Sequence, residues 1–224
     1  MKVSIIIPTY NEENSIESTL GPLIGENGCE VIVVDGYSKD RTKEIVRSYP
    51  VIFKQAGKNR ANQLNAGAGI AGGDVLVFLH ADCILEKGGL PAIINSVKKG
   101  FIGGCSSQRI NSSALIYRFI EASGNIRAKL SHIFYGDQAI FVRRDIFQKI
   151  GGFDDVALFE DIIFSRKLKK YGKTCTLKNK IFTSARRWEK QGIIKTTLIN
   201  WLVSIGFFFG IAPHILKKIY SEVR

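Results

Sequence analysis

The chain has four cysteines and no CxxC pair among them. Cys29, Cys83, Cys105 and Cys175 lie far apart. Such spacing argues against a zinc site and against a small disulfide scaffold. Buried free thiols are the expectation, and with them a reducing cytoplasm. No apolar run reaches the roughly 20 residues a spanning helix needs. The start, Met1-Lys2-Val3-Ser4-Ile5-Ile6-Ile7-Pro8, is too short in its apolar part for a signal peptide and runs straight into a strand. No Walker sequence is present, and no G-x-G-x-x-G lies between a strand and a helix it would open, so P-loop hydrolysis and dinucleotide binding are disfavoured. No helix-turn-helix, zinc-finger or RNP-like pattern is found, and nucleic acid is not expected as a partner. Neither an internal repeat nor a low-complexity linker divides the chain. Its 224 residues, 45% hydrophobic, suffice for one large domain with a substantial core.

What is present is unevenly charged. Through Ser112 there are 12 basic and 11 acidic residues, a net of +1, and after it 20 basic and 9 acidic, a net of +11. The basic part suits an anionic membrane surface or a phosphate-bearing substrate. Within it, Thr197–Ala212 is mostly apolar but interrupted by Asn200, Ser204, Gly206 and Gly210, and Pro213 is expected to break it. It reads as a packing helix, a dimer-forming helix or one lying on a membrane surface, rather than as a span.

Two acidic residues close strand-like runs: Asp35 ends Glu30-Val31-Ile32-Val33-Val34, and Asp82 follows Asp74-Val75-Leu76-Val77-Phe78-Leu79-His80-Ala81. Continuous short apolar runs read as buried parallel strands. Strand Val3–Ile7, a helix near Asn14–Leu23, strand Glu30–Val34, a helix near Thr42–Ser48, a strand near Val51–Lys54, a helix over Asn59–Ala71 and strand Asp74–Leu79 alternate as in a doubly wound sheet. Ser38 or Asp40 reads as the N-cap of the second helix. Further strands are expected at Gly103–Gln108, Gln138–Val142 and Thr174–Leu177, with helices at Ser113–Leu130, Arg144–Ile150 and Asp161–Tyr171. Ligands of such sheets bind beyond the carboxyl ends of the strands. A carboxylate there can accept hydrogen bonds from a base or ribose, or hold Mg²⁺ or Mn²⁺ beside a diphosphate.

Together, Val3-Ser4-Ile5-Ile6-Ile7-Pro8-Thr9-Tyr10-Asn11-Glu12 and Asp35-Gly36-Tyr37-Ser38-Lys39-Asp40-Arg41-Thr42 resemble the opening motifs of inverting family-2 glycosyltransferases, in particular the short single-domain type. The resemblance implies a GT-A fold: α/β, with a mostly parallel central sheet flanked by helices. It implies that Pro8, Tyr10 and Glu12 lie along the nucleoside and diphosphate and that Asp35 contacts the base. His80-Ala81-Asp82 stands where the family has Asp-x-Asp, which makes Asp82 the expected cation ligand, with His80 on the ribose, on the metal or simply packed. Arg60, at the start of a helix, is read as a nucleotide or phosphate contact, and Asn65 as a brace for the loop. Asp137 reads as an acceptor for sugar hydroxyls or as a turn residue. Glu160-Asp161 resembles the motif that supplies the catalytic base, Asp161 first and Glu160 second; the alternative is that both serve the helix dipole. Ser184-Ala185-Arg186-Arg187-Trp188 resembles the family's Arg-Trp motif with shortened spacing. It suggests Arg187 on the diphosphate and Trp188 on an acceptor sugar, or else a basic loop packed by one aromatic.

The resulting expectation is a metal-assisted inverting transfer of a sugar from a nucleotide-sugar donor to an acceptor hydroxyl, the acceptor being lipid-linked or a glycan. Residues 1–190 would form the catalytic domain, 1–100 its nucleotide half and 101–190 its acceptor half, and 191–224 a partly apolar helical extension. The cytoplasm, with contact at the inner face of the cell membrane, is the expected location, and a homodimer is one expected use of the apolar helix. A catalytically silent nucleotide-sugar-binding or membrane scaffold protein is the alternative, kept open by His80. A sugar-phosphate nucleotidyltransferase ranks below both, because the first strand lacks the glycine- and arginine-rich loop such enzymes carry.

Overall fold

A computed structural model describes residues 1–220. The last four residues of the expected extension lie outside the described residues. Three strands of the first part follow the expected alternation: β1 (Val3–Thr9), β2 (Cys29–Asp35) and β3 (Ile52–Gln55). Between them lie α1 (Ile16–Leu20), continued by a tighter turn at Gly21–Leu23, and α2 (Thr42–Arg47). Helix α3 (Arg60–Ala68) then leads to β4 (Val75–Phe78). The runs Ile5-Ile6-Ile7 in β1, Val31-Ile32-Val33-Val34 in β2 and the whole of β4 are continuously apolar because both of their faces are covered. Val3, Ile5, Ile7, Val31, Val33, Val75 and Val77 join one core with α1 and α2. Ile6, Ile32, Val34, Leu76 and Phe78 join a second core, with α3 and later helices, on the opposite face. The period-two alternation of a strand assigns neighbours to opposite cores.

The sequence reading assigned nothing to the next segment, where the structure has β5 (Cys83–Leu85) and α4 (Gly89–Lys98). Strand β6 (Gly103–Ile110), helix α5 (Leu115–Ser131), strand β7 (Ile140–Arg143) and helices α6 (Arg144–Ile150) and α7 (Glu160–Leu168) follow. Strand β8 (Thr174–Thr183) runs six residues past its expected end at Leu177. Its middle reads as polar (Lys178, Asn179, Lys180) because the outward face is partly exposed, so the apolar pattern stops before the pairing does.

All eight strands join one sheet in the order β3-β2-β1-β4-β7-β6-β8-β5. Strands β3, β2, β1 and β4 are mutually parallel. Beyond β4 the sheet is mixed, with β7 antiparallel to both β4 and β6, and β8 parallel to β6 but antiparallel to β5. In-register pairing of Thr9 with Asp35 ends β1 and β2 at one level, so their following loops share one rim. Strands β6 and β8 approach so closely at Gly104 that a β-carbon there would run into the Cys175 carbonyl oxygen.

Three helices close the described chain: α8 (Arg186–Gln191), α9 (Ile193–Phe208) and α10 (Pro213–Ile219). The expected helix at Thr197–Ala212 therefore begins and ends four residues earlier, and Pro213 starts a helix rather than breaking one. As the first helical residue it loses no hydrogen bond, and its fixed φ favours the turn. Leu158, Val203 and Leu216 form a small core here, with Phe159, Ile199, Phe207 and Tyr220 packed against it. The terminal helices are thus fastened to the loop just before α7. Among the described residues, no helix is long and apolar enough to cross a membrane.

Candidate active site

The loops after β1, β4 and β8 and the start of α7 surround a cavity of about 280 Å³. Of the residues singled out from sequence, Pro8, Tyr10, Glu12, Arg60, His80, Asp82, Asp137, Glu160, Asp161, Arg187 and Trp188 line it. Asp35 does not. Its carboxylate lies at the same rim, fully buried. There it accepts from the Ser38 amide (3.0 Å), the Ser38 hydroxyl, Gln55 Nε2 (3.1 Å) and Thr9 Oγ1 (3.4 Å). In this conformation Asp35 ties the loop after β2 to the sheet and presents no oxygen to the cavity.

That loop is in turn stitched to the loop after β1. The Asn11 amide donates to Ser38 Oγ, the Glu12 amide to Thr42 Oγ1 and the Glu13 amide to Asp40 Oδ2. Ser38 and Asp40 therefore serve the neighbouring loop, and Asp40 Oδ1 also accepts from the amide of Thr42 (3.0 Å), the first residue of α2, although Arg41 occupies the N-cap position and its own side chain makes no capping bond. Asn11 and Tyr37 both sit in left-handed backbone, one in each stitched loop. Strain of this kind persists where surrounding contacts over-determine the backbone. Lys58 is exposed, and its ammonium lies 4.0 Å over the Tyr10 ring. Asn65 braces the loop before α7, exchanging hydrogen bonds with the Phe153 carbonyl (2.8 Å) and amide (2.9 Å).

The centre of the cavity is built around Gly136. Its amide donates to Asp161 Oδ2 at 2.6 Å. A β-carbon at this position would lie 2.6 Å from His80 Nε2 and 3.3 Å from Asp161 Oδ2. A glycine is needed for the strand β4 side, carrying His80 and Asp82, to come this close to the start of α7. Phe159, which precedes α7, has a φ of 71°, a left-handed conformation that is costly for a bulky side chain. Its ring stacks on Phe207 with centroids 4.7 Å apart, so α9 helps hold this turn.

Burial and the charge of adjacent Glu160 push the Asp161 pKa up to about 7, against the lowering effect of the Gly136 and Ile162 amides and of Arg60. Arg60 Nη1 is 3.2 Å from Glu160 Oε1 and pairs with it. Burial also raises Asp137, whose Oδ2 accepts from Gln108 Nε2 at 2.6 Å. Trp188 packs edge-on against Tyr117 and donates to Thr197 Oγ1 at 3.3 Å, while still bordering the cavity.

Arg186, absent from the expected site residues, is central. Its Nη2 lies 3.2 Å from Glu12 Oε2 and 3.6 Å from Asp82 Oδ2. It therefore joins the loop after β1 to the loop after β4. The signal was its place directly beside Arg187, and only the geometry separates their partners. Sequence reading also missed Asn200, Val203, Ser204 and Tyr220 as cavity lining. They come from the terminal helices, which looked like an appendage.

His80, Asp82 and Cys83 bring one ligand atom each within 4.8 Å of one another. The Cys83 thiol is pushed well up by burial and by Asp82, so it stays protonated and is a poor ligand. An imidazole and a carboxylate, completed by phosphate and water oxygens, fit a cation such as Mn²⁺ or Mg²⁺. Charge supports the fit. Glu12, Asp82, Asp137, Glu160 and Asp161 face only three arginines, Arg60, Arg186 and Arg187, in the cavity wall. An anionic ligand gains from an added divalent charge in such surroundings.

A family model described as Glycosyl transferase family 2 matches residues 4–151. A probable glycosyltransferase of Bacillus subtilis (strain 168), YdaM, is 30% identical over 219 residues, covering 85% of this chain and 51% of its own length. The dolichol-phosphate mannosyltransferase of Pyrococcus furiosus is 30% identical over 185 residues, covering 77% of this chain and 50% of its own. The chain thus spans about half the length of these curated relatives. Among solved structures, the mannosyltransferase PcManGT of Pyrobaculum calidifontis, in complex with GDP-Man and Mn²⁺, aligns with a TM-score of 0.69 at 23% identity, covering 97% of this chain and 67% of its own. TarS 1-349 of S. aureus aligns with a TM-score of 0.69 at 17% identity, covering 98% of this chain and 69% of its own. At these identities the structures speak for the fold.

Proposed function

Because the chain belongs to glycosyl transferase family 2, we propose that its cleft transfers a sugar, with inversion, from a nucleoside-diphosphate sugar to an acceptor hydroxyl. The observation that carries this reading is the junction at Gly136, where Asp161 and the His80–Asp82 loop share one cavity. Inverting transfer needs one carboxylate on the face opposite the leaving diphosphate, able to take the acceptor's proton. Asp161 fits that task. Its raised pKa makes it a better base than an ordinary aspartate, and the Gly136 amide fixes one of its oxygens. Glu160, paired with Arg60, raises the Asp161 pKa by its charge.

Pro8, Tyr10 and Glu12 would border the donor, with Arg186 orienting Glu12 and Asp82. Asp35 would act on the base only if it released part of its present hydrogen bonding. Asp137 would meet sugar hydroxyls from a carboxylate that Gln108 holds in place. Asp82 and His80 would hold a divalent cation, which when bound offsets the charge on the departing diphosphate. Residues 1–190 form the catalytic unit in this reading, with α9 and α10 completing its acceptor wall.

Membrane contact follows from a different feature. Ile194, Leu198, Trp201, Leu202, Ile205 and Phe208 of α9 are each more than half exposed, and Lys190, Lys195, Lys217 and Lys218 flank them. An apolar stripe edged with lysines suits an anionic membrane surface and a lipid-linked acceptor.

Thermal-shift titration with UDP-, GDP-, dTDP- and CDP-sugars, each with Mg²⁺ or Mn²⁺, tests the donor site. One of these donors should raise the melting point, and at about a hundredfold over Kd the gain is about 2.7 kcal/mol. Asp82→Asn should remove the metal-dependent part of the shift. No shift with any donor and either cation would contradict the proposal.

A further inference from the structure

We infer that the cleft holds a second anion site, formed by Arg187 beneath the terminal helices, which takes a phosphomonoester group of the acceptor. It rests on the sugar-transfer reading of the same cavity. The two adjacent arginines at the start of α8 face different partners. Arg186 is committed to Glu12 and Asp82, the wall assigned to donor and cation. Arg187 instead sets its guanidinium carbon 3.8 Å over the ring of Tyr220.

Arg187 Nε and Nη2 are shielded from solvent and meet no hydrogen-bond acceptor among the described residues. These two atoms make one edge of the guanidinium, the fork that grips two oxygens of an oxyanion. Stacking on Tyr220 uses the face of the group and leaves that edge available. Tyr220 therefore orients the fork without filling it. A half-buried cation with two shielded, unpaired donors is costly, and a ligand that supplies the oxygens removes the cost. Asn200 Oδ1, from α9 and also in the cavity wall, is likewise buried without a donor. A ligand suiting both atoms carries an anionic oxygen pair and a nearby hydroxyl. A phosphorylated acceptor has both.

The position relative to the base is appropriate. Arg187, Tyr220 and Asp161 all line the one cavity, so a group held at the fork lies in the same cleft as the carboxylate that would take the acceptor's proton. The same phosphomonoester chemistry could be offered by a soluble acceptor or by a lipid headgroup exposed at the apolar face of α9.

The test is calorimetric titration of the full chain with two probes, sn-glycerol 3-phosphate and phosphatidylcholine vesicles containing phosphatidic acid. Vesicles with phosphatidylglycerol, a diester, serve as control, and each titration is made with and without saturating nucleoside diphosphate and Mn²⁺. Binding of either monoester probe should weaken at least tenfold in Arg187→Gln, and Arg187→Lys, which lacks the fork, should not restore it. Nucleoside diphosphate affinity should stay within twofold of wild type. Arg187→Met should melt no lower than wild type, since it removes two shielded donors that lack acceptors. Preference for the soluble probe or for phosphatidic acid identifies the source. A tenfold loss of nucleoside diphosphate affinity in Arg187→Gln, with monoester binding unchanged, would overturn the inference in favour of a donor clamp. Monoester binding that is absent in wild type, or indifferent to Arg187, would overturn it outright. Should wild type bind the monoester through Arg187 but no nucleotide, the transfer reading fails and the anion site stands.

Discussion

As the proposed base, Asp161 would carry opposite demands from folding and from chemistry. Its pKa is raised to about 7, chiefly by burial and then by Glu160. The folded chain therefore holds a proton that the unfolded chain, with an ordinary aspartate, has already released between about pH 4 and 7. Stability from this group is present at the acid end and is lost as pH rises through about 7. Activity runs the other way, because a base must be deprotonated. The transfer rate should rise with pH and level off above about 7, read from kcat/KM across pH 5–9. Asp161→Asn should melt higher than wild type at pH 8, and the difference should shrink toward pH 5. At this level the sequence placed a residue at the cavity wherever its type sits in a recognisable motif, as for Asp82 in the loop after β4 and Asp161 in the first turn of α7. It was less legible for Asp35 and Arg186. Strand position showed that Asp35 reaches the rim, but not that Gln55, Ser38 and Thr9 would surround its carboxylate. Adjacency in sequence likewise could not assign Arg186 to Glu12 and Asp82 and Arg187 to Tyr220.

In the first half β1, β2 and β4 were legible because their apolar runs are buried on two faces, and α3 because Asn59 caps its start. The structure confirms this directly in the cores that β1, β2 and β4 share. Strand β5 has three residues, too few for a periodicity, and helix α4 carries Pro91 in its first turn, a position where proline is tolerated but reads as a breaker. Close approach between elements is also invisible in sequence. Gly104 looks like any strand glycine, yet a β-carbon there would collide with the Cys175 backbone, whereas nothing lies within 4 Å of one at Gly21. Gly104→Ala should cost about 1–3 kcal/mol or more in urea unfolding, because backbone cannot step aside as a side chain can. Gly21→Ala, at a right-handed backbone position, should be neutral or stabilise by up to about 1 kcal/mol.

The assembled chain joins the candidate cavity to a basic, partly greasy flank. Net charge is +12, and the stripe on α9 is matched on α5 by Leu115, Phe119, Ile126 and Leu130, spaced four, seven and four apart and all more than half exposed. Sedimentation with anionic vesicles should deplete the protein from solution at low salt and release it partly at 0.5 M salt, where screening shortens electrostatic reach. Trp201→Ser with Phe208→Ser should weaken the pelleting while leaving nucleotide binding intact. Protein that stays in solution at low salt would remove membrane contact from the account. Sequence reading recognised the apolar helix but treated it as an extension. That its inner face supplies Asn200, Val203 and Ser204 to the cavity depends on packing against Leu158 and Phe159, contacts distant in sequence.

The central claim is that Asp161 deprotonates an acceptor in a cleft that binds a nucleoside-diphosphate sugar. Release of nucleoside diphosphate, followed with whichever donor raises the melting point, tests it most directly in wild type and Asp161→Asn. The account predicts a loss of about 10²- to 10⁴-fold in the variant, with donor binding retained. Equal release by the two proteins would contradict it.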